Sequence, residues 1–159
     1  MGRLRFYFDG LVHFFVAHSR HGTHSPFVYR LVDEVIYAKH LSGEPRDKVK
    51  RLTVRLIDRF QPSTVYVLGS EQPPISRLDF VVVDCDMIKK PVVEIKKLWP
   101  QLHAGSVLVL SGVYRNNESK ALWQFIKAQP DVTVTIDLFR AGLVFFHLGQ
   151  SKEDFKIRY

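Results

Sequence analysis

A single cysteine among 159 residues, Cys85, excludes an intramolecular disulfide. The fold must therefore be held by its core, and a reducing compartment is the simplest expectation. Long apolar runs are lacking as well. The nearest approach, Met1 to Ala17, begins basic and turns rich in Phe, Leu and Val, but Asp9, Gly10 and His13 interrupt it. That excludes an uninterrupted signal-peptide core and a bilayer-spanning segment, and predicts an amphipathic helix packed on the body. Phe6 stands where an N-myristoylation motif wants Ser or Thr. A cytoplasmic protein without a membrane partner is expected. Low-complexity segments and internal repeats are absent too, and acidic residues are in the minority, 16 against 23 Lys and Arg.

The composition that remains, 46% hydrophobic and 25% charged, is that of one globular domain spanning residues 1–159. The length allows a real core but not two ordinary domains. A formal charge of +7 favours nucleic acid, anionic surfaces or acidic partners. The basic residues are dispersed and accompany no recognised nucleic-acid motif, so a solvated basic surface is the preferred reading and nucleic acid is not an expected partner. The alternative is a nucleic-acid-binding module built on the basic helix around Lys48 to Arg59, which predicts retention on heparin and a steep salt dependence.

Hydrophobic spacing divides the chain into N-terminal helices, residues 1–61, and an α/β core, residues 62–159. Ser25 and Pro26 form an N-cap and first-turn pair, and Phe27, Val28, Leu31, Val32, Val35 and Ile36 follow on one helical face. A further helix runs to about Phe60 on Val49, Leu52, Leu56, Ile57 and Phe60, and Pro62 ends it. The period then changes. Thr64 to Gly69, Leu78 to Asp84 and Ser106 to Ser111 are short Val-rich runs, as strands covered on both faces of a parallel sheet read. Helices are expected at Pro91 to Trp99 and Asn117 to Ala128. Val132 to Leu138 and Gly142 to Leu148 are spaced as a hairpin, so the final strand is expected to run antiparallel.

The wording of these segments resembles a family. "RHGTHSPFVYRLVDEVIY" (Arg20 to Tyr37) and "QPDVTVTIDLFRAGLVFFHLGQSKEDFKIRY" (Gln129 to Tyr159) are similar to the two ends of bacterial, Bacteroidetes-type, class I S-adenosylmethionine-dependent methyltransferases. Between them "QPSTVYVLGS" resembles the first sheet strand of that family, "LDFVVVDCD" the fourth and "AGSVLVLSGVY" the fifth. The resemblance implies a truncated Rossmann-like sheet of about five strands, the last antiparallel, with N-terminal helices. It also implies what is missing. The family places a glycine-rich turn for the methyl donor, and a strand ending in a ribose-binding carboxylate, where this chain has only Ser70 to Arg77.

Gly69 and Ser70 therefore stand as vestiges of the donor turn, and Asp84 and Asp86 as vestiges of the cofactor side of the site. Pro73 and Pro74 occupy the place where backbone donors would be useful. Relatives tend to read D-G-N-H after the fourth strand and D-D after the fifth. Here Asp84, Cys85, Asp86 and Met87 are followed later by Ser111 and Gly112, so no metal is expected. An acidic loop capping the next helix is the plainer reading of Asp84 and Asp86. S-adenosylmethionine is the only cofactor implied, and its binding is not expected to survive. The resulting expectation is a methyltransferase homologue that is catalytically impaired or non-catalytic; the alternative is an active O-methyltransferase completed by oligomerisation.

His18, His21 and His24 are spaced three apart, but no Cys or acidic residue in that segment completes a zinc site, so a hydrogen-bonded turn at Gly22 is preferred. Cys85 reads as a buried, inert thiol. Tyr114 and Arg115 follow the fifth-strand segment, where acceptor-contacting residues occur in such folds; loop solvation is the equal alternative. Ser70 to Arg77 is only eight residues long, so the flanking strands can be parallel neighbours only if the connection is nearly straight. Strand 64–69 would then lie at a sheet edge, open to pairing in a homodimer.

Overall fold

The helices begin at the capping residues. In a computed structural model, which describes residues 3–17, 25–70 and 77–159, Ser25 is the N-cap of α2 (Pro26–Leu31) and accepts from the Val28 amide at 3.5 Å. Pro26 sits in the first turn, where a missing N–H costs nothing. The helix widens into a π-helical turn, Val32–Ile36, whose Val32, Val35 and Ile36 enter the core. α3 (Lys48–Phe60) starts on Asp47, whose Oδ1 accepts from Lys50 N at 2.8 Å. It ends at Gln61, in the left-handed region with φ 46°.

The remaining elements form a sheet with two more helices: β1 (Val65–Val67), β2 (Phe80–Asp84), α4 (Pro91–Leu98) with a short 3-10 extension Trp99–Gln101, β3 (Val107–Ser111), α5 (Asn117–Ala128), β4 (Val134–Asp137), β5 (Ala141–Phe145) and β6 (Glu153–Lys156). The strand order is β1-β2-β3-β5-β4-β6. β1, β2 and β3 run parallel, and β5 is antiparallel to both β3 and β4. Alternation along the strands sorts side chains to two cores. Phe80, Val107, Val109, Val134, Ile136, Leu143 and Phe145 face α2, the π-helical turn and α3. Val81, Val83, Leu108, Leu110 and Val144 face α4 and α5, where Ile95, Leu98, Leu122, Trp123 and Ile126 meet them.

Two expectations are corrected. The described residues form six strands, not about five, and the chain does not finish on its reversed strand: β6 follows β5 and runs parallel to β4. Three of the four β6 residues are charged, and its burial alternates, because an edge strand needs only one paired side and one apolar face. Phe155 supplies that face, and Asp154 Oδ1 accepts from Thr135 Oγ1 at 2.5 Å.

The expected N-terminal helix is α1 (Arg3–Val16), and it packs on the body. The residues that interrupt its apolar pattern make the contacts with the body. Gly10 lies against Phe139, His13 is buried, and Asp9 pairs with Lys120 at 2.6 Å. Tyr7, Phe8, Leu11, Val12, Phe14, Phe15 and Val16 are exposed instead. No described helix is long and apolar enough to cross a membrane.

β1 lies at the sheet edge, parallel to β2. Tyr66 and Leu68 are buried, whereas Val65 and Val67 are each nearly half exposed. Most of the Ser70 to Arg77 connection, residues 71–76, lies outside the described residues, as do His18, His21 and His24.

Candidate functional site

In open α/β sheets, ligands bind beyond the carboxyl ends of the parallel strands. Here β1, β2 and β3 bring Gly69, Ser70, Asp84, Asp86, Gly112 and Arg115 to that end. Gly69 has φ +92°, and a Cβ there would lie 3.8 Å from Ile88. The Ser70 amide and hydroxyl both turn back to the Val67 carbonyl, at 3.0 and 2.6 Å. The chain therefore closes a tight turn from Val67 to Ser70.

The carboxylates are likewise committed to their own loop. Asp84 Oδ1 accepts from the Asp86 amide at 3.1 Å, and Asp86 Oδ2 meets Arg115 Nε at 3.2 Å. Gly112 has φ +71°, a backbone conformation that L side chains rarely adopt, and lies beside Asp86 at ordinary contact distance. The Asp86–Arg115 pair is largely exposed and worth less than about 1 kcal/mol. Neither Asp caps the next helix, which corrects that expectation. The N-cap of α4 is Lys90, in the left-handed region and without a side-chain cap, and Pro91 supplies the preset φ that starts the helix.

Cys85 lies between them, buried, its amide on the Ser111 carbonyl at 3.2 Å. Burial, reinforced by Asp84 and Asp86, pushes its thiol up to about 12, so at neutral pH it is a protonated apolar side chain rather than a nucleophile. Among the described residues no group of three or more His, Cys, Asp or Glu is placed to hold a metal ion.

A second cluster, which sequence reasoning missed in part, sits where β3 and β4 end under α1. Asp137 is 2% exposed. Its Oδ1 lies 3.1 Å from His13 Nε2 and accepts from the Phe139 amide at 2.9 Å. Its Oδ2 accepts a short hydrogen bond from the Tyr114 hydroxyl. The Asp137 carbonyl also faces His13 Nε2 at 3.2 Å, so two acceptors address that nitrogen and place the proton on it. Burial opposes ionisation of Asp137, but the donors from His13, Tyr114 and Phe139 outweigh it and hold the carboxyl below its ordinary range. Tyr114 is shifted the other way: burial and the Asp137 charge keep its phenol protonated. Phe139, at φ +64°, stacks on Tyr114 with ring centres 5.3 Å apart. A bulky residue in that region is strained, and the packing around it holds it there.

No protein-family model, no curated protein and no solved structure matches this chain.

Function must therefore be argued from these residues. The strand-end group offers a closed turn and two exposed carboxylates, each with one contact to its own loops. The Asp137 cluster offers a satisfied hydrogen-bond network with neither a nucleophile nor an exposed base. Of the residues flagged from sequence, Tyr114 joins Asp137, while Arg115 goes to Asp86 and lies 5.6 Å over the Phe6 ring. Two signals in the sequence pointed to the missed pair: an Asp closing the apolar run before Leu138, and a His inside an apolar helix.

Proposed function

We propose that this chain is a class I methyltransferase-like protein that no longer binds S-adenosylmethionine and acts without catalysis, as a binding or partner protein. One observation carries the reading. β1 and β2 are direct parallel neighbours joined by the twelve residues 68–79, in the place where the methyltransferases it resembles insert the donor turn and the ribose-binding strand. The strand order β1-β2-β3-β5-β4 with β5 reversed supports the resemblance. The internal use of Asp84 and Asp86 supports the loss of the donor site. Titration calorimetry with S-adenosylmethionine is expected to show no saturable heat. Micromolar one-to-one binding would overturn the proposal.

An active form completed by oligomerisation is the second reading, and the open β1 edge favours it. Thr64 O, Leu68 N and the register to β2 turn the even-numbered backbone groups inward. The odd-numbered groups of Val65 and Val67 therefore face the edge, apart from the Val67 carbonyl, which Ser70 takes. A weak dimer is expected by sedimentation at high concentration. Placing a charge on the edge with Val67→Lys should return the protein to monomer; dimerisation unaffected by that change would exclude this edge.

A further inference from the structure

A cleft of about 530 Å³ opens between α1, the chain following the π-helical turn, the first half of α3, the β4–β5 turn and the last residues of the chain. Lys48, Arg51, Arg55 and Arg158 line it with Tyr37 and Tyr159, and among the described residues no Asp or Glu does. These cations differ in how far they are already engaged.

Arg55 is fully committed. Nε and Nη2 form a fork on Glu44 at 2.6 and 2.7 Å, Nη1 serves the Val35 and Ala38 carbonyls at 3.0 and 2.8 Å, and Nη2 also serves the Lys39 carbonyl at 2.7 Å. All five donors have acceptors, and Glu44, pulled down to about 2 by Arg55 and the Leu41 amide, cancels the charge.

The other three retain capacity. Arg51 spends Nη1 on the Pro45 and Arg46 carbonyls. Arg158 spends Nε on the Phe14 and Ala17 carbonyls at the end of α1. Lys48 Nζ lies 5.2 Å from the Tyr159 ring centre, and the Tyr159 hydroxyl donates to the Lys48 carbonyl at 2.9 Å. Asp47 acts on the Tyr159 phenol from outside the lining and offsets one charge at most. Two or more positive charges from separate elements thus converge on a concave space with aromatic walls.

We propose that this cleft binds a small molecule that carries two or more phosphates and a flat ring, a ligand of the nucleoside diphosphate class. Guanidinium forks match phosphate oxygens, and an ammonium adds a point charge. Like charges focused in a low-dielectric concavity attract polyanions strongly. Phe14, Tyr37 and Tyr159 supply ring surfaces, Phe14 with Arg158 and Tyr159 with Lys48 already against one part of the ring, and the volume lies in the range of small-molecule sites. A duplex would need its cations along an open face rather than inside a pocket. The inference uses no strand-end residue and does not rest on the methyltransferase reading.

Calorimetric titration of the full chain with ADP at low salt tests it. Saturable one-to-one binding that weakens with salt is expected, tighter for ADP than for pyrophosphate. Lys48→Glu should weaken it by about tenfold or more, and Lys48→Arg should retain it. The Lys48 side chain is exposed and rests on the Tyr159 ring, so the variant should fold; Arg51→Gln gives a second reading of the same loss. Lys89→Glu, on the loop before α4, should leave binding unchanged. Absence of saturable binding, or binding insensitive to both Lys48→Glu and Arg51→Gln, would overturn the site. Equal affinity for pyrophosphate would overturn the role of the rings, and a mixed-sequence duplex that displaces ADP at comparable affinity would overturn the small-molecule assignment.

Discussion

Asp137→Ala is expected to cost about 3–5 kcal/mol of stability, because it removes the common acceptor of His13, Tyr114 and the Phe139 amide in a buried place, leaving Tyr114 and the Phe139 amide unpaired and His13 with the residue 137 carbonyl alone. Against a typical total of about 5–15 kcal/mol that is a large share, and it should appear as a lowered urea midpoint with an unchanged slope. The same carboxylate sets a pH dependence. Its folded pKa lies below the ordinary value of about 4. Its contribution is therefore complete above about pH 4 and is lost as pH falls through the lower folded value. Asp79, depressed because His103 and the Thr64 and Ser63 amides outweigh its burial, acts in the same direction. So does Glu44, whose folded value is about 2. Stability should thus fall as pH drops from about 4 towards 2, and the fall should be shallower in Asp137→Asn. A wild-type profile that stays flat across this window would contradict the assignment.

Gly142→Ala should be the most damaging single-methyl change in the sheet. A Cβ at Gly142 would lie 2.6 Å from Trp123 Cζ3 and 2.8 Å from Cη2. Trp123 is 1% exposed, locked between α5 and the sheet, and has no room to retreat. Overpacking of this kind costs about 1–3 kcal/mol, and the upper end is expected because a rigid indole, not a flexible chain, is struck. Thermal unfolding should show a drop of several degrees. Trp123→Leu combined with Gly142→Ala should lose less than the sum of the two single changes, because the smaller side chain makes room. Strict additivity would show that the close approach carries no energy.

Much of the fold was legible because local rules and tertiary packing agree. Asp47 and Ser25 start helices by accepting their amides, and the apolar stripe of α3 is the face that becomes buried. The Val-rich runs around Phe80 to Asp84 and Val107 to Ser111 read as doubly covered strands because both faces are in fact covered. Where the reading failed, the local pattern was weak. β6 is too polar to announce itself. α1 packs on the body as expected, but the body takes Gly10 for its lack of a side chain and His13 for its proton.

Of the site, the sequence showed that only eight residues separate Gly69 from Leu78, and that Asp84 and Asp86 are the acids at the end of the second Val-rich run. Their fates were not legible. That Asp86 meets Arg115, that Asp137 collects donors from residues 124 positions before it and 23 before it, and that Lys48, Arg51 and Arg158 share one cleft all depend on segments distant in the chain meeting in space. Composition, spacing and capping act over a few residues, so the sequence alone determined which segments become helices and strands and which faces are apolar. Pairing of charges and donors far apart in the chain follows from the sheet order and the seat of α1 on the β4–β5 turn, so only the tertiary structure decided which polar groups are consumed and which remain for a ligand.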